Sequence, residues 1–167
     1  MKRGVYAGSF CPVTNGHVDA IEKAARLVDK LYVVVGVNPS KRYAMSDEAR
    51  FSAVSKAVAH LPEVEVVFYG GMMTDFCKSV NADVMIKSIR NATDLQQVID
   101  LADVNADFWQ GETVFVVGDK KWRNVSASLV RELAFLGKDV SAYVPACCAD
   151  EICRALGCEP AQKKDEA

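Results

Sequence analysis

The sequence predicts an α/β domain built on one parallel sheet of five strands flanked by helices, and three observations lead there. Short apolar runs rich in Val and Tyr recur along the chain. Stretches with helical spacing separate them, and no repeat or linker-like change of composition divides the 167 residues. A run that is almost wholly apolar suits a strand covered on both faces, which favours parallel pairing.

The strands are expected at 4–9, 31–37, 64–69, 84–89 and 113–117. The first helix carries Val18, Ile21, Ala25 and Val28 on one face. The second, opened by Ser46-Asp47-Glu48, carries Phe51, Val54, Val58 and Leu61. Thr74-Asp75 and Thr93-Asp94 mark two further helix starts, while Leu129, Leu133 and Leu136 stripe a helix that ends at Gly137. A last short helix runs from about Asp150 to Leu156 and stops at Gly157. Five strands with intervening helices imply a Rossmann-like sheet whose ligand lies at the carboxyl ends of the strands. Residues 1–157 form the expected domain, and 158–167, polar with one proline, an expected disordered tail.

Bulk properties exclude several classes. Half of the residues are hydrophobic, enough for a buried core, and 20 basic against 22 acidic residues give a net charge of -2. Such a balance attracts neither nucleic acid nor an anionic membrane, and the basic residues form no stripe. A phosphate ligand must therefore be held by local groups. No segment approaches the roughly 18 apolar residues of a membrane span, and Met1-Lys2-Arg3 passes straight into a strand-like run, so a cytoplasmic location is expected. The six cysteines, at 11, 77, 147, 148, 153 and 158, follow neither a paired framework nor a CxxC spacing. They read as reduced thiols, and no protein metal site is expected.

The chemistry is expected where the first strand runs into Gly8-Ser9-Phe10-Cys11-Pro12-Val13-Thr14-Asn15-Gly16-His17. A helix start presents unpaired N–H groups and a partial positive charge, so this loop can hold phosphate oxygens without a dedicated lysine. Gly16 would let the backbone approach closely. His17 falls in the first helical turn, where the dipole favours a neutral ring that still donates one N–H. A lone histidine usually just caps or packs a turn; here Thr14, Asn15 and Gly16 argue for a functional one. Neither GxxxxGK[ST] nor GxGxxG occurs, which removes the main support for a P-loop or an ordinary dinucleotide site.

Gly8-Ser9-Phe10 with Thr14-Asn15-Gly16-His17 resembles the (H/T)xGH signature of the nucleotidyltransferase superfamily, in the TNGH form of the phosphopantetheine adenylyltransferases. A second block, Val125 to Glu132 with Ser126, Ser128 and Arg131, is similar to that superfamily's ISSTxxR element and falls in the expected order. Ser126 and Ser128 can donate hydroxyls while the helix start offers N–H groups, together a cradle for pyrophosphate.

The resemblance extends to about Leu156 and implies adenylyl transfer from ATP to 4′-phosphopantetheine, giving dephospho-coenzyme A and pyrophosphate. It further implies Mg²⁺ carried mainly on the ATP phosphates and a homohexamer. By that similarity Ser9 and Lys41 contact the pantetheine phosphate, Phe10 and His17 the ATP, and Met73 the pantetheine arm. Trp122, Arg123, Asn124, Val125, Ser126, Ala127 and Ser128 then line the nucleotide. Lys87, Ser88, Ile89 and Arg90 close the fourth strand with two cations beside the switch point, which suits a triphosphate. His17, Lys41 and Lys87 are the expected catalytic residues.

Four positions depart from the family's pattern. Lys87 and Ser88 replace an arginine and a glycine of Arg-Gly-Leu-Arg, Cys11 an aspartate, and Val98 a nucleotide-contacting glutamate. Two alternatives follow: a related transferase for another phosphorylated acceptor, such as nicotinate mononucleotide or glycerol phosphate, and a nucleotide-binding regulator without catalysis. Lys41 and Met73 favour pantetheine over the first, and His17 with both loop motifs favours catalysis over the second.

Overall fold

The computed structural model describes residues 1–38 and 40–158. Strands β1 (Arg3–Gly8), β2 (Lys30–Gly36), β3 (Val64–Tyr69), β4 (Val84–Ile89) and β5 (Glu112–Val117) alternate with helices α1 (Asn15–Ala25), α2 (Asp47–Ala57), α3 (Met73–Ser79) and α4 (Ala92–Ala106). Helices α5 (Ala127–Phe135) and α6 (Ala149–Leu156) follow. All strands pair in parallel in the order β3-β2-β1-β4-β5. The direction of winding thus reverses between β1 and β4, the place where such sheets open a ligand crevice.

Alternation along the strands sends side chains to two cores. Val33, Val35 and Ile86 pack with Ile21, Val54, Val130 and Ile152 on one face, and Val5, Val34 and Met85 with Phe76, Cys77 and Trp109 on the other. Helices on both faces are what the apolar strands required. Thr14, Ser46, Asn91 and Ser126 each cap a helix by accepting from an amide in its first turn.

Three details differ from expectation. The inner face of α2 is Arg50, Ala53, Val54 and Ala57, while Phe51 is exposed and Val58 lies just past the helix. A purely apolar stripe misses this face because a paired arginine occupies a core position. In α5 the buried residues are Val130 and Ala134, and Leu136 is exposed beyond the helix end. Helices α3 and α4 begin slightly ahead of Thr74 and Thr93, after Met72 and Asn91.

Cys158 is 7% exposed, and its amide donates to the Cys153 carbonyl at 2.9 Å while Gly157 takes a left-handed φ of 73°. The packed chain therefore continues one residue past Gly157. The rest of the expected tail lies outside the described residues.

Candidate active site

The carboxyl ends of β1, β4 and β5 border a cavity of about 440 Å³. His17 enters it from the first turn of α1, Lys87, Ser88 and Arg90 from the end of β4, and Val98 from α4. Trp122, Val125, Ser126, Ala127 and Ser128 complete the opposite wall. A second cavity of about 370 Å³ at the ends of β2 and β3 takes Ser9 and Met73, with Asn38, Tyr43 and Gly70. The structure thus divides the expected residues between two adjoining spaces.

Five expected residues line neither space. Phe10 is buried beneath the first loop, its ring 5.2 Å from that of His17 in an edge-on contact and against Gly8, where an added Cβ would meet it at 3.0 Å. Its side chain is a support for His17. Ile89, half-buried at the end of β4, is absent from the lining, and Arg123 and Asn124 are exposed after the 3-10 turn Lys120–Trp122. Lys41 is exposed on the turn between Asn38 and Tyr43, its amide donating to the Asn38 carbonyl at 2.9 Å. This places Lys41 at the rim of the second cavity, outside its lining.

His17 is held by a reciprocal cap. Its amide donates to Thr14 Oγ1 at 3.3 Å, while its Nδ1 accepts from the Thr14 amide at 3.1 Å. An accepting Nδ1 places the proton of the neutral ring on Nε2. Burial lowers the His17 pKa to about 4, and the Arg90 charge adds to the shift. The ring is therefore a neutral donor at pH 7, and the causes are burial and Arg90 rather than the helix dipole on which the sequence expectation rested. Gly16 brings this turn against the other motif: a Cβ there would lie 3.5 Å from the carbonyls of Trp122 and Val125.

Arg90 forms a fork with Asp94, Nε to Oδ2 at 2.8 Å and Nη2 to Oδ1 at 3.2 Å, which holds the Asp94 carboxyl below its usual range. The remaining guanidinium hydrogens stay available to an anion. Burial lowers the Lys87 pKa, and the Cys77 thiol beside it opposes that shift. Where the family pattern has glutamate, Val98 and Leu101 give the wall an apolar patch.

Sequence reasoning missed Arg50 and Asp19, and gave Arg131 no contact beyond its place in the second motif. Arg50, fully buried, donates from Nη1 to the carbonyls of Ser9 at 2.6 Å and Gly36 at 2.9 Å, and from Nη2 to Asp47 at 2.5 Å, with Tyr43 over its guanidinium. It fixes the ends of β1 and β2 around the second cavity. Its helical partner Asp47, three residues earlier, was the available signal. Arg131 ties the Cys11 carbonyl to Ser128, and Asp19 accepts from the Asp119 amide at 2.8 Å, stitching α1 to the loop before Trp122. Cys11, the departure from aspartate, is buried and offers the site its carbonyl.

Among the described residues no three or more His, Cys, Asp or Glu side chains gather to hold a metal ion. The acidic residue of the cavity wall, Asp94, is engaged by Arg90. A lining of cations, hydroxyls and one neutral imidazole fits a metal carried on nucleotide phosphates with its waters.

A parallel sheet whose winding reverses between β1 and β4, with a cavity lined by cations and hydroxyls at that point, defines a Rossmann-like fold with its crevice at the switch point. Residues 5–133 match the Cytidylyltransferase-like family. A Nocardioides phosphopantetheine adenylyltransferase is 41% identical over 145 residues, covering 87% of this chain and 91% of that protein. The Caldanaerobacter subterraneus enzyme of the same name is 37% identical, covering 91% and 96%. The chain belongs to the phosphopantetheine adenylyltransferase family. In fold it is also similar to a solved Vibrio parahaemolyticus protein named as a candidate nicotinate-nucleotide adenylyltransferase, with TM-score 0.66, 17% identity and coverage of 93% and 95%.

Proposed function

We propose that this protein transfers the adenylyl group of ATP to 4′-phosphopantetheine, forming dephospho-coenzyme A and pyrophosphate. The observation that carries the reading is His17, fixed as a neutral Nε2–H donor in a cavity that also holds Lys87, Arg90 and the start of α5. The names of relatives at 34–41% identity support the acceptor.

An oxygen of the acceptor phosphate bonds to the α-phosphorus as the bond to the β-phosphate oxygen breaks, and its electron pair leaves with pyrophosphate. The attacking oxygen is already anionic, so no general base is needed. Catalysis rests on in-line positioning and on donors placed before charge develops. Lys87, from the lining of the first cavity, and Ser9, from that of the second, orient the acceptor phosphate, and Lys41 reaches it from the rim. His17 supports the charge at the α-phosphate, while Arg90 and the Ser126–Ser128 cradle take the pyrophosphate. Met73 and the second cavity receive the pantetheine arm. Mg²⁺ carried on the ATP phosphates would shield their charge, with Lys87, Ser88 and Arg90 lining the same cavity.

The reading includes a cytoplasmic location, supported by six unpaired cysteines. No helix among the described residues is long and apolar enough to cross a membrane. It also includes assembly into a homohexamer, supported by apolar surface at Phe68, Phe115 and Val117 on the edge strands and at Phe135, 89% exposed.

Pyrophosphate release from ATP and Mg²⁺ is the test, run with 4′-phosphopantetheine, nicotinate mononucleotide or glycerol phosphate. Release with phosphopantetheine alone is expected. Release with another acceptor alone would overturn the assignment, and ATP binding without release on any would point to the regulator.

A further inference from the structure

Strands β1 and β4 pair at two positions, Gly4 with Val84 and Val5 with Met85, whereas β1 pairs with β2, and β4 with β5, at six positions each. Beyond Met85 the two central strands therefore part toward their carboxyl ends. Across that gap the Tyr6 hydroxyl lies 3.0 Å from Ser88 Oγ, and both residues line the 440 Å³ cavity. Tyr6 is only 4% exposed, and its ring packs against Phe10, 6.3 Å away, so the phenol is fixed in position.

Two hydroxyls in contact share one hydrogen between them and leave the other to be placed. The phenol is the stronger acid and the more deeply buried group, so it is the better donor to the serine oxygen. Burial raises the Tyr6 pKa, which keeps its proton in place at every physiological pH. Ser88, half-buried, is then left with its own hydrogen turned to the cavity, where Lys87 and Arg90 favour an anion. Accepting from Tyr6 also strengthens the serine as a donor.

We propose that the Ser88 hydroxyl is a phosphate-binding donor of this chain, and that Tyr6 is the positioning residue that directs it at a phosphate oxygen of the bound nucleoside triphosphate. The inference rests on the adenylyl-transfer reading for its ligand. Where the family pattern has glycine, only the main chain can bind; this chain adds a side-chain donor beside Lys87, which has lost the arginine fork. The pair thus gives the departure at Ser88 a role in holding the nucleotide.

The test is a double-mutant cycle of Tyr6→Phe and Ser88→Gly on the full chain, read as the Kd of ATP with Mg²⁺ in the absence of acceptor and as the kcat and KM of adenylyl transfer. Ser88→Gly is expected to weaken ATP binding roughly tenfold, the order of one hydrogen bond to a charged oxygen. Tyr6→Phe is expected to weaken it about three- to tenfold in the native background and to leave it unchanged in the Ser88→Gly background. Ser88→Thr, which keeps the hydroxyl, is expected to stay within a few-fold of native. An equal loss from Tyr6→Phe in both backgrounds would overturn the proposal, as would unaltered ATP binding by Ser88→Gly. Should Tyr6→Phe fail to fold, the Ser88→Gly and Ser88→Thr pair decides alone. ATP binding without dephospho-coenzyme A formation would sink the reaction reading and leave the cycle decisive, while a native chain that does not bind ATP would overturn both.

Discussion

Arg131 donates from Nη1 to the carbonyl of Cys11 at 2.5 Å, a contact between residues 120 positions apart, and from Nη2 to Ser128 Oγ at 3.2 Å. One guanidinium thereby ties the loop after β1 to the serine cradle at the start of α5. Both loops must hold position before ATP arrives if preorganised donors lower the barrier.

Truncation of that tie has a predicted outcome. Arg131→Met keeps the stem and removes the fork, and is expected to lower kcat/KM for ATP about 10- to 100-fold with little change in the KM for phosphopantetheine. Steady-state kinetics with each substrate varied in turn checks it. Equal losses for both substrates would mean a general loosening of the fold.

His17→Ala removes the neutral donor and is expected to cost on the order of 10²–10³ in turnover. Because burial and Arg90 bring its pKa to about 4, His17 is expected to contribute no acid limb to kcat between pH 5 and 7. The folded state binds fewer protons than the unfolded chain between pH 4 and the ordinary value of 6.5. Stability therefore falls as pH is lowered through that window, the full penalty being present below pH 4. Urea unfolding of the native chain and of His17→Gln across pH 4–7 is expected to show a shallower acid loss in the variant.

Lys87 gives the alkaline counterpart. Burial lowers its pKa from 10.5, so its charge is lost at a lower pH than that of a free lysine, and activity is expected to fall with it. Lys87→Arg supplies a permanent charge and a fork. It is expected to keep or raise kcat/KM at pH 8 and to move the alkaline limb upward. A large loss at pH 8 would mean that the pocket is shaped around lysine.

Arg50 holds the Ser9 and Gly36 carbonyls from inside the fold. Arg50→Met leaves both carbonyls short of a donor and is expected to destabilise the protein by about 2–4 kcal/mol, measured by urea unfolding. Since those carbonyls border the second cavity, the KM for phosphopantetheine is expected to rise more than that for ATP.

The parts of this site that were legible in the sequence are the ones announced by residue type at a helix start. Thr14 with His17, and Ser126 with Ser128, lie within a few residues of one another, and capping chemistry fixes their geometry locally. The alternation of strands and helices followed from apolar runs separated by helical spacing, while the sheet order β3-β2-β1-β4-β5 was not read from them. What stayed hidden depends on distant segments meeting: Arg131 with Cys11, Tyr6 with Ser88, and Arg50 on the inner face of α2. A buried arginine looks like a surface one until its carbonyl partners are brought to it. The same limit explains Leu136, which continues an apolar stripe in sequence but lies beyond the last helical turn, exposed to solvent.

The central claim is most directly tested by running the transfer backward. The protein incubated with dephospho-coenzyme A, pyrophosphate and Mg²⁺ is predicted to form ATP and 4′-phosphopantetheine, which requires both cavities to be occupied at once. ATP formed from nicotinate adenine dinucleotide and not from dephospho-coenzyme A, or from neither, would contradict the account.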